Sequence, residues 1–440
     1  MKFRAFLLFI LILSSFLYGD PAGNSNEFHP LDLISPKRAD LMAKYIYAKH
    51  REWETKSLFG LNIYYRHLQV WNGFHEGDPY KLGFNDFHMA FNNLLDSIKH
   101  NGFNPAYPVP LGPTGVIFNG AHRVVSCLLY NKLVLIERGV VECDYGFTFF
   151  RNKKLEPKYL DAMALQYCEL KPDSYMLIVF PSATGQTDNV EKIIKAYADI
   201  VYKKEIEFTK KGGLNFILTA YENELFITYP LALRNKVLSC FPEKSLKTNK
   251  ARVYLLQSKE LKLIKQCKAE IRALFNISND SVHATDTHAE AITLARTLFN
   301  SNSVHCLNHR NHISTPIFDH YLTTYRAWLA SNTLEEEWFC LDGGAVLAAY
   351  GLRDCNDLDF LCYKNEVAQI GVPGIENHNY QLKYYSTPLD DILFDPDHHF
   401  FYKGIKFCSL SVVKSMKKTR GEPKDLHDII LINKLPKQQL

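Results

Sequence analysis

Residues 338–361 read WFCLDGGAVLAAYGLRDCNDLDFL, and this stretch decides how the last part of the chain is built. Residues 338–341 form a short apolar run of strand length that ends on Asp342, Gly343 and Gly344. Residues 345–350 follow with helical composition and are closed by Gly351, Leu352 and Arg353. Two glycines at a strand-to-helix junction let an anionic group approach the backbone closely. Residues 357–361 then predict a second strand. Positions two apart on a strand share a face, so Asp357 and Asp359 should project together while Leu358 and Phe360 enter the core. Paired carboxylates of that kind suit Mg2+, which commonly takes one or two of them and completes its shell with substrate phosphates.

The combination resembles the active-site signature of the nucleotidyltransferase superfamily with the DNA-polymerase-β-like fold: Gly-Gly, a short helix, then Asp-x-Asp. The resemblance implies that Asp357 and Asp359 are metal ligands, that Gly343 and Gly344 admit a nucleoside triphosphate, and that Mg2+ serves a two-metal in-line displacement. The end of the chain extends it. Lys414, Lys417, Lys418, Arg420, Lys424, Asp425 and Asp428, ahead of the apolar residues 429–432, resemble the Arg-x-x-x-Lys-Asp-x-x-Asp helix that closes toxin-type and antibiotic-type minimal nucleotidyltransferases. On that likeness Lys424 joins Asp357 and Asp359 as a catalytic residue, neutralising developing phosphate charge. The family also places a third carboxylate on a later strand, and Asp390, Asp391, Asp395 and Asp397 compete for the position.

A second likeness lies nearer the N-terminus. Ser97, Ile98, Gly102, Pro108, Val109, Pro110, Ile117 and then Asn119-Gly120-Ala121-His122-Arg123 resemble the ParB/sulfiredoxin-like fold. The resemblance implies that Gly120 opens a helix whose amides, together with His122 and Arg123, hold nucleotide phosphates. A helix N-terminus beside a guanidinium is a natural anion site, and His122 can shuttle a proton near neutral pH. Position 121 is Ala where a sulfiredoxin-like motif would carry its nucleophilic Cys, and Cys127, a turn later, reads as core. No helix-turn-helix or strongly basic domain follows, so no specific DNA binding is expected.

The 440 residues carry Lys+Arg 51 against Asp+Glu 47, a net charge of +4, which excludes a polybasic tail as the main feature. Hydrophobic residues at 47% and charged residues at 22% are ordinary globular usage and exclude disorder, collagen and coiled coil. The cysteines contain no Cys-x-x-Cys pair, which argues against a zinc ribbon. Lys2 and Arg4 precede an apolar run over residues 5–18, and the chain turns polar at Gly19, Asp20 and Pro21. This predicts a signal peptide over residues 1–19 and a secreted or extracytoplasmic protein, with an uncleaved membrane anchor as the alternative. The run is too short to span a bilayer as a helix and no later stretch qualifies, so no multi-pass membrane insertion is expected.

In the middle of the chain, residues 175–180 and 252–256 predict strands, as do 116–118, 214–220 and 225–228. Residues 190–202 and 259–275 predict helices. Thr287 with Glu290 reads as an N-cap and capping box for a helix over residues 289–299. His305 and His309 have H-x-x-x-H spacing in a histidine-rich segment but fall in expected loop, so capping and polar contacts explain this segment better than zinc.

The expected architecture is mixed α+β and multidomain: a signal over 1–19, a ParB/sulfiredoxin-like unit over 60–150, an α/β middle domain over 170–315 and a nucleotidyltransferase-like unit over 318–440. The expected function is metal-dependent transfer of a nucleotidyl or phosphoryl group from a nucleoside triphosphate to a hydroxyl acceptor of unknown identity, a glycan precursor being one candidate. Two alternatives stand beside it: a ParB/sulfiredoxin-like kinase using the Gly120 to Arg123 turn, and a non-catalytic secreted binding or effector protein.

Overall fold

The computed structural model describes residues 26–77, 80–242, 250–332, 334–364 and 372–436. The signal segment expected over residues 1–19 lies outside them. Among the described residues no helix is long and apolar enough to cross a membrane.

In the N-terminal region the helices Asp40–Glu52, Phe59–Asn72, Phe84–Asn101 and Ala121–Leu129 accompany a three-stranded sheet of β1 (Glu27–Phe28), β4 (Val109–Leu111) and β5 (Val134–Arg138). A separate hairpin is made by β2 (His75–Gly77) and β3 (Tyr80–Leu82). Helix Phe84–Asn101 shows how pattern becomes packing: Phe87, Phe91, Leu95 and Ile98 recur every three or four residues and all four are buried. Residues 116–118, expected as a strand, contribute one isolated bridge between Ile117 and Leu111. The chain doubles back through residues 112–115, with Gly112 N–H bonded to Val116 O, and leaves no length for a ladder.

The middle region is a four-stranded antiparallel sheet in the order β7 (Asp199–Glu207), β8 (Lys250–Gln257), β6 (Ser174–Val179), β9 (Val282–Ala284). Leu177 and Val179 of β6 pack with residues of the helices Thr187–Tyr197 and Leu261–Phe275. Met176 and Ile178, on the other face, join the N-terminal core. Burial on both faces is why this strand is an unbroken apolar run. The shared core extends from Leu33 to Leu307, so the N-terminal and middle regions surround one apolar interior.

Three expectations are corrected here. Residues 214–220 belong to helix Lys210–Ala220, where Thr209 caps Gly212 N–H and Gly212, Asn215, Phe216 and Ile217 are buried. Residues 225–228 form a short 3-10 turn leading into helix Pro230–Cys240, with Pro230 at its first position. Helix Thr187–Tyr197 stops early because residues from Asp199 onward pair with β8.

The C-terminal sheet has the order β12 (Ile375–Asn377), β11 (Leu358–Cys362), β10 (Phe339–Asp342), β14 (Ile405–Cys408), β13 (His399–Tyr402). β10 is antiparallel to β11 and parallel to β14, and β12 is parallel to β11. Its own core gathers Phe318 and Leu322 from helix Pro316–Ser331, Ile392 from Leu389–Phe394, Val412 and Met416 from Leu410–Arg420, and Ile432 from Pro423–Asn433. Lys49 reaches across to Glu337 at 2.5 Å, and Trp53 meets Trp338 edge-on at 5.9 Å, joining the two cores. The protein is a mixed α/β chain of several small sheets.

Candidate active site

The site is assembled at the C-terminal end of β10. Asp342 ends that strand, and Asp359 on β11 lies directly opposite it in the antiparallel register, so two carboxylates face each other across one pair of strands. Like charges so placed repel. Asp342 is fully buried; one oxygen, Oδ2, accepts a hydrogen bond from Tyr385 and the other, Oδ1, has no partner. An orphaned oxygen of that kind is costly unless another group meets it.

Asp359 is 8% exposed and its Oδ1 lies 3.2 Å from Nε2 of His378. Burial, reinforced by Asp357, Asp342 and Glu376 and opposed by His378, pushes its carboxyl up to about 7. For His378, burial works against the charged ring, but the neighbouring carboxylates of Asp342, Asp359 and Asp357 outweigh it and raise the imidazole above its ordinary value. Tyr385 is raised well above the usual phenol range, first by burial and then by Asp342.

Gly343 makes the close approach possible. Its φ is +59°, and a Cβ there would stand 3.0 Å from Oδ2 of Asp359. Gly344 opens the helix Gly344–Ala349, and the Arg353 guanidinium lies 3.6 Å from where its Cβ would be. Arg353 is fixed by a two-pronged bond to Asp428, at 2.7 and 2.8 Å.

Asp357 sits one residue before β11 and is exposed. Its charge is felt by Asp359, His378 and Arg353, so it belongs to the same locus. Glu376, on β12, is the register partner of Asp359 and is also exposed. Sequence reasoning missed Glu376 and His378. The available signal was the short Ile375-Glu376-Asn377 run after Gly374, an apolar-acid-polar strand of only three residues.

Three of the acids weighed for the third carboxylate turn elsewhere: Asp390 accepts from Lys56 N–H at 2.6 Å, Asp395 accepts from Asp397 N–H at 3.0 Å, and Asp397 pairs with Lys158 at 2.8 Å. Lys424 is exposed and pairs with Glu422 at 3.3 Å. The inward-facing basic groups of this segment are Lys417 and Arg420, which with Asp425 and Asp428 form a buried network that locks helices Leu410–Arg420 and Pro423–Asn433 together.

The N-terminal candidates lie in a different part of the chain. Gly120 has φ +88° and precedes helix Ala121–Leu129. Arg123 folds back over it and donates to the carbonyls of Tyr107 and Pro108, the latter at 2.8 Å. His122 bonds Tyr64 at 3.0 Å and packs on Phe91, and burial followed by the charge of Lys44 lowers its pKa well below the ordinary histidine value. Cys127 is core, with its thiol pushed up to about 12 by burial.

In the histidine segment, Thr287 caps helix His288–Leu298 by accepting from Glu290 N–H, as expected, but Glu290 takes its return bond from Asp286 N–H and not from Thr287 N–H, so the expected capping box is not completed. His305 and His309 lie on one helix, Ser301–His309, not in a loop, because Asn300 caps it by accepting from Ser303 N–H. Their rings are 4.4 Å apart, and His305 is held by Tyr350.

Among the described residues no three His, Cys, Asp or Glu side chains already form a metal cage. The oxygen donors Asp357, Asp359 and Glu376, with the orphaned Oδ1 of Asp342 behind them, nonetheless have the hard-ligand chemistry of a Mg2+ site whose shell water and phosphate oxygens complete. No protein-family model, no curated protein and no solved structure matches this chain.

Proposed function

We propose that the C-terminal unit catalyses Mg2+-dependent transfer of a nucleotidyl or phosphoryl group from a nucleoside triphosphate to a hydroxyl acceptor. The observation that carries the reading is the convergence of Asp342, Asp359 and Glu376 on three adjacent strands beside the Gly343–Gly344 junction, with Asp357 at the rim. Two buried carboxylates, Asp342 and Asp359, do not face each other across a strand pair without positive charge to offset their repulsion. His378 supplies part of that charge in the absence of ligand and would give up its bond to Asp359 when a metal ion binds.

Asp357 and Asp359 hold Mg2+, which when bound supplies neutralising charge for the polyphosphate. Gly343, lacking a side chain, lets the phosphates approach the backbone beside Asp359. Arg353, aimed at Gly344 and braced by Asp428, is better placed than exposed Lys424 to neutralise developing phosphate charge. Glu376, across from Asp359 and open to solvent, takes the proton from the attacking hydroxyl. The oxygen of the acceptor bonds to phosphorus as the bond to the leaving group breaks, pyrophosphate in nucleotidyl transfer and nucleoside diphosphate in phosphoryl transfer. A glycan precursor remains the candidate acceptor.

The test is turnover of each nucleoside triphosphate in the presence of Mg2+ and a panel of hydroxyl acceptors, read as acceptor-dependent release of pyrophosphate or nucleoside diphosphate. Release abolished by Asp357→Ala and kept by Arg123→Ala supports the reading. The reverse pattern would move the chemistry to the Gly120 to Arg123 turn.

A further inference from the structure

Where the N-terminal helices meet the C-terminal sheet there is a cavity of about 580 Å³, within the size range of small-molecule sites, which favour such junctions. It lies at the other end of β10 from the acid cluster: Glu336 and Glu337 precede the strand and Phe339 begins it, whereas Asp342 ends it. Ile46, Ile292, Phe299 and Phe401 give it apolar walls.

The charges along this cavity do not balance in its buried part. Lys49 pairs with Glu337 at 2.5 Å, Arg296 with Glu169 at 3.1 Å and, toward solvent, with exposed Glu336 at 2.8 Å, and Lys403 with Glu222 at 3.6 Å. Lys406 is 8% exposed and has no carboxylate partner among the described residues; its ammonium donates to the carbonyls of Glu337 and Leu393, both at 2.7 Å. An ammonium has three hydrogens, so one is left over. Burial, helped by Arg296 and Lys49 and opposed chiefly by Glu337, lowers the Lys406 pKa below the ordinary lysine value. A buried cation held by two carbonyl dipoles and the face of Phe394 at 5.8 Å, with no carboxylate against it, gains most from an anion.

We propose that this cavity binds a small organic monoanion, a carboxylate with an apolar body, whose charge is received by Lys406 and whose body lies against Ile292, Phe299 and Phe401. One buried ammonium with no carboxylate against it calls for one negative charge. The apolar walls call for a hydrocarbon or aryl body over a fully polar metabolite. The site is independent of the transfer reaction proposed for the acid cluster.

The test is calorimetric titration of the full chain with octanoate and 4-phenylbutyrate against the matching neutral alcohols, 1-octanol and 4-phenylbutanol. The carboxylates should bind at least about tenfold more tightly than the alcohols, the difference a charge-assisted hydrogen bond supplies. Lys406→Met should erase that preference, Ile292→Trp should block both kinds of probe by filling the cavity, and Asp359→Ala should leave binding unchanged. Equal binding of acid and alcohol, absence of binding by either, or carboxylate binding that survives Ile292→Trp overturns the proposal. Should Lys406→Met fail to fold, the acid-to-alcohol comparison and Ile292→Trp decide it.

Discussion

Nε2 of His378 stands 3.2 Å from Oδ1 of Asp359, while its Nδ1 faces Oδ2 of Asp342 at 3.8 Å, so one imidazole is wedged between two opposed carboxylates. Both Asp359 and His378 titrate above their ordinary values here, so their protonation is linked to folding and to cation binding.

That linkage has a sign. Asp359 titrates at about 7 in the fold against an ordinary value of 3.8, so the native state binds more protons than the unfolded chain between those values. His378 is also raised, so it adds to the effect above its ordinary 6.5. Without metal, stability from this cluster falls as pH rises from about 4 through 7, and thermal melts between pH 5 and 8 should show a loss on the order of 5 °C. Asp359→Asn should flatten the profile. Mg2+ competes with those protons, so the stabilisation it gives should grow over the same interval.

Gly343→Ala tests the close approach at the junction. With φ at +59° and Asp359 Oδ2 3.0 Å from the new methyl, the substitution strains the backbone and presses on the carboxylate. A cost of about 1–3 kcal/mol is expected in urea unfolding, with nucleotide affinity in Mg2+ reduced by more than about tenfold.

Asp425 is fully buried, bonded to Arg420 at 2.7 Å and Lys417 at 3.2 Å, and also closes the capping box at Glu422 N–H. Asp425→Ala leaves two buried cations short of their partner and should cost about 3 kcal/mol or more in chemical denaturation. Lys424→Ala, one residue earlier, removes an exposed side chain paired, among the described residues, with half-buried Glu422 and should change stability by less than about 0.5 kcal/mol.

Arg353 and Lys424 also separate two assignments of the phosphate-neutralising charge. Arg353→Lys keeps the charge but loses the fork that Asp428 fixes, and it should lower nucleotide affinity by about tenfold or more. Lys424→Ala should lower it by less than about threefold. Isothermal titration on both variants checks the contrast.

How much of this was legible beforehand depends on the length of each pattern. Helix Phe84–Asn101 and strand β6 were readable because each spends many residues on one periodicity. The strand expected over 214–220 became a helix because an apolar run that short fits either period, and Thr209, a strong N-cap, starts the helix earlier. Gly343, Gly344, Asp357 and Asp359 were visible as a local motif. Glu376 and His378 were not, because β12 is three residues long and its pairing with β11 is set by tertiary register that no nearby sequence announces.

The most direct measurement is calorimetric titration of the full chain with nucleoside triphosphates, with and without Mg2+, on the native protein and on Asp357→Ala and Asp359→Ala. Saturable binding of at least one triphosphate that requires Mg2+ and is weakened by about 100-fold or more in Asp359→Ala is the predicted result. Binding that is indifferent to Mg2+ and to both substitutions would contradict the assignment of these carboxylates to a metal–polyphosphate site.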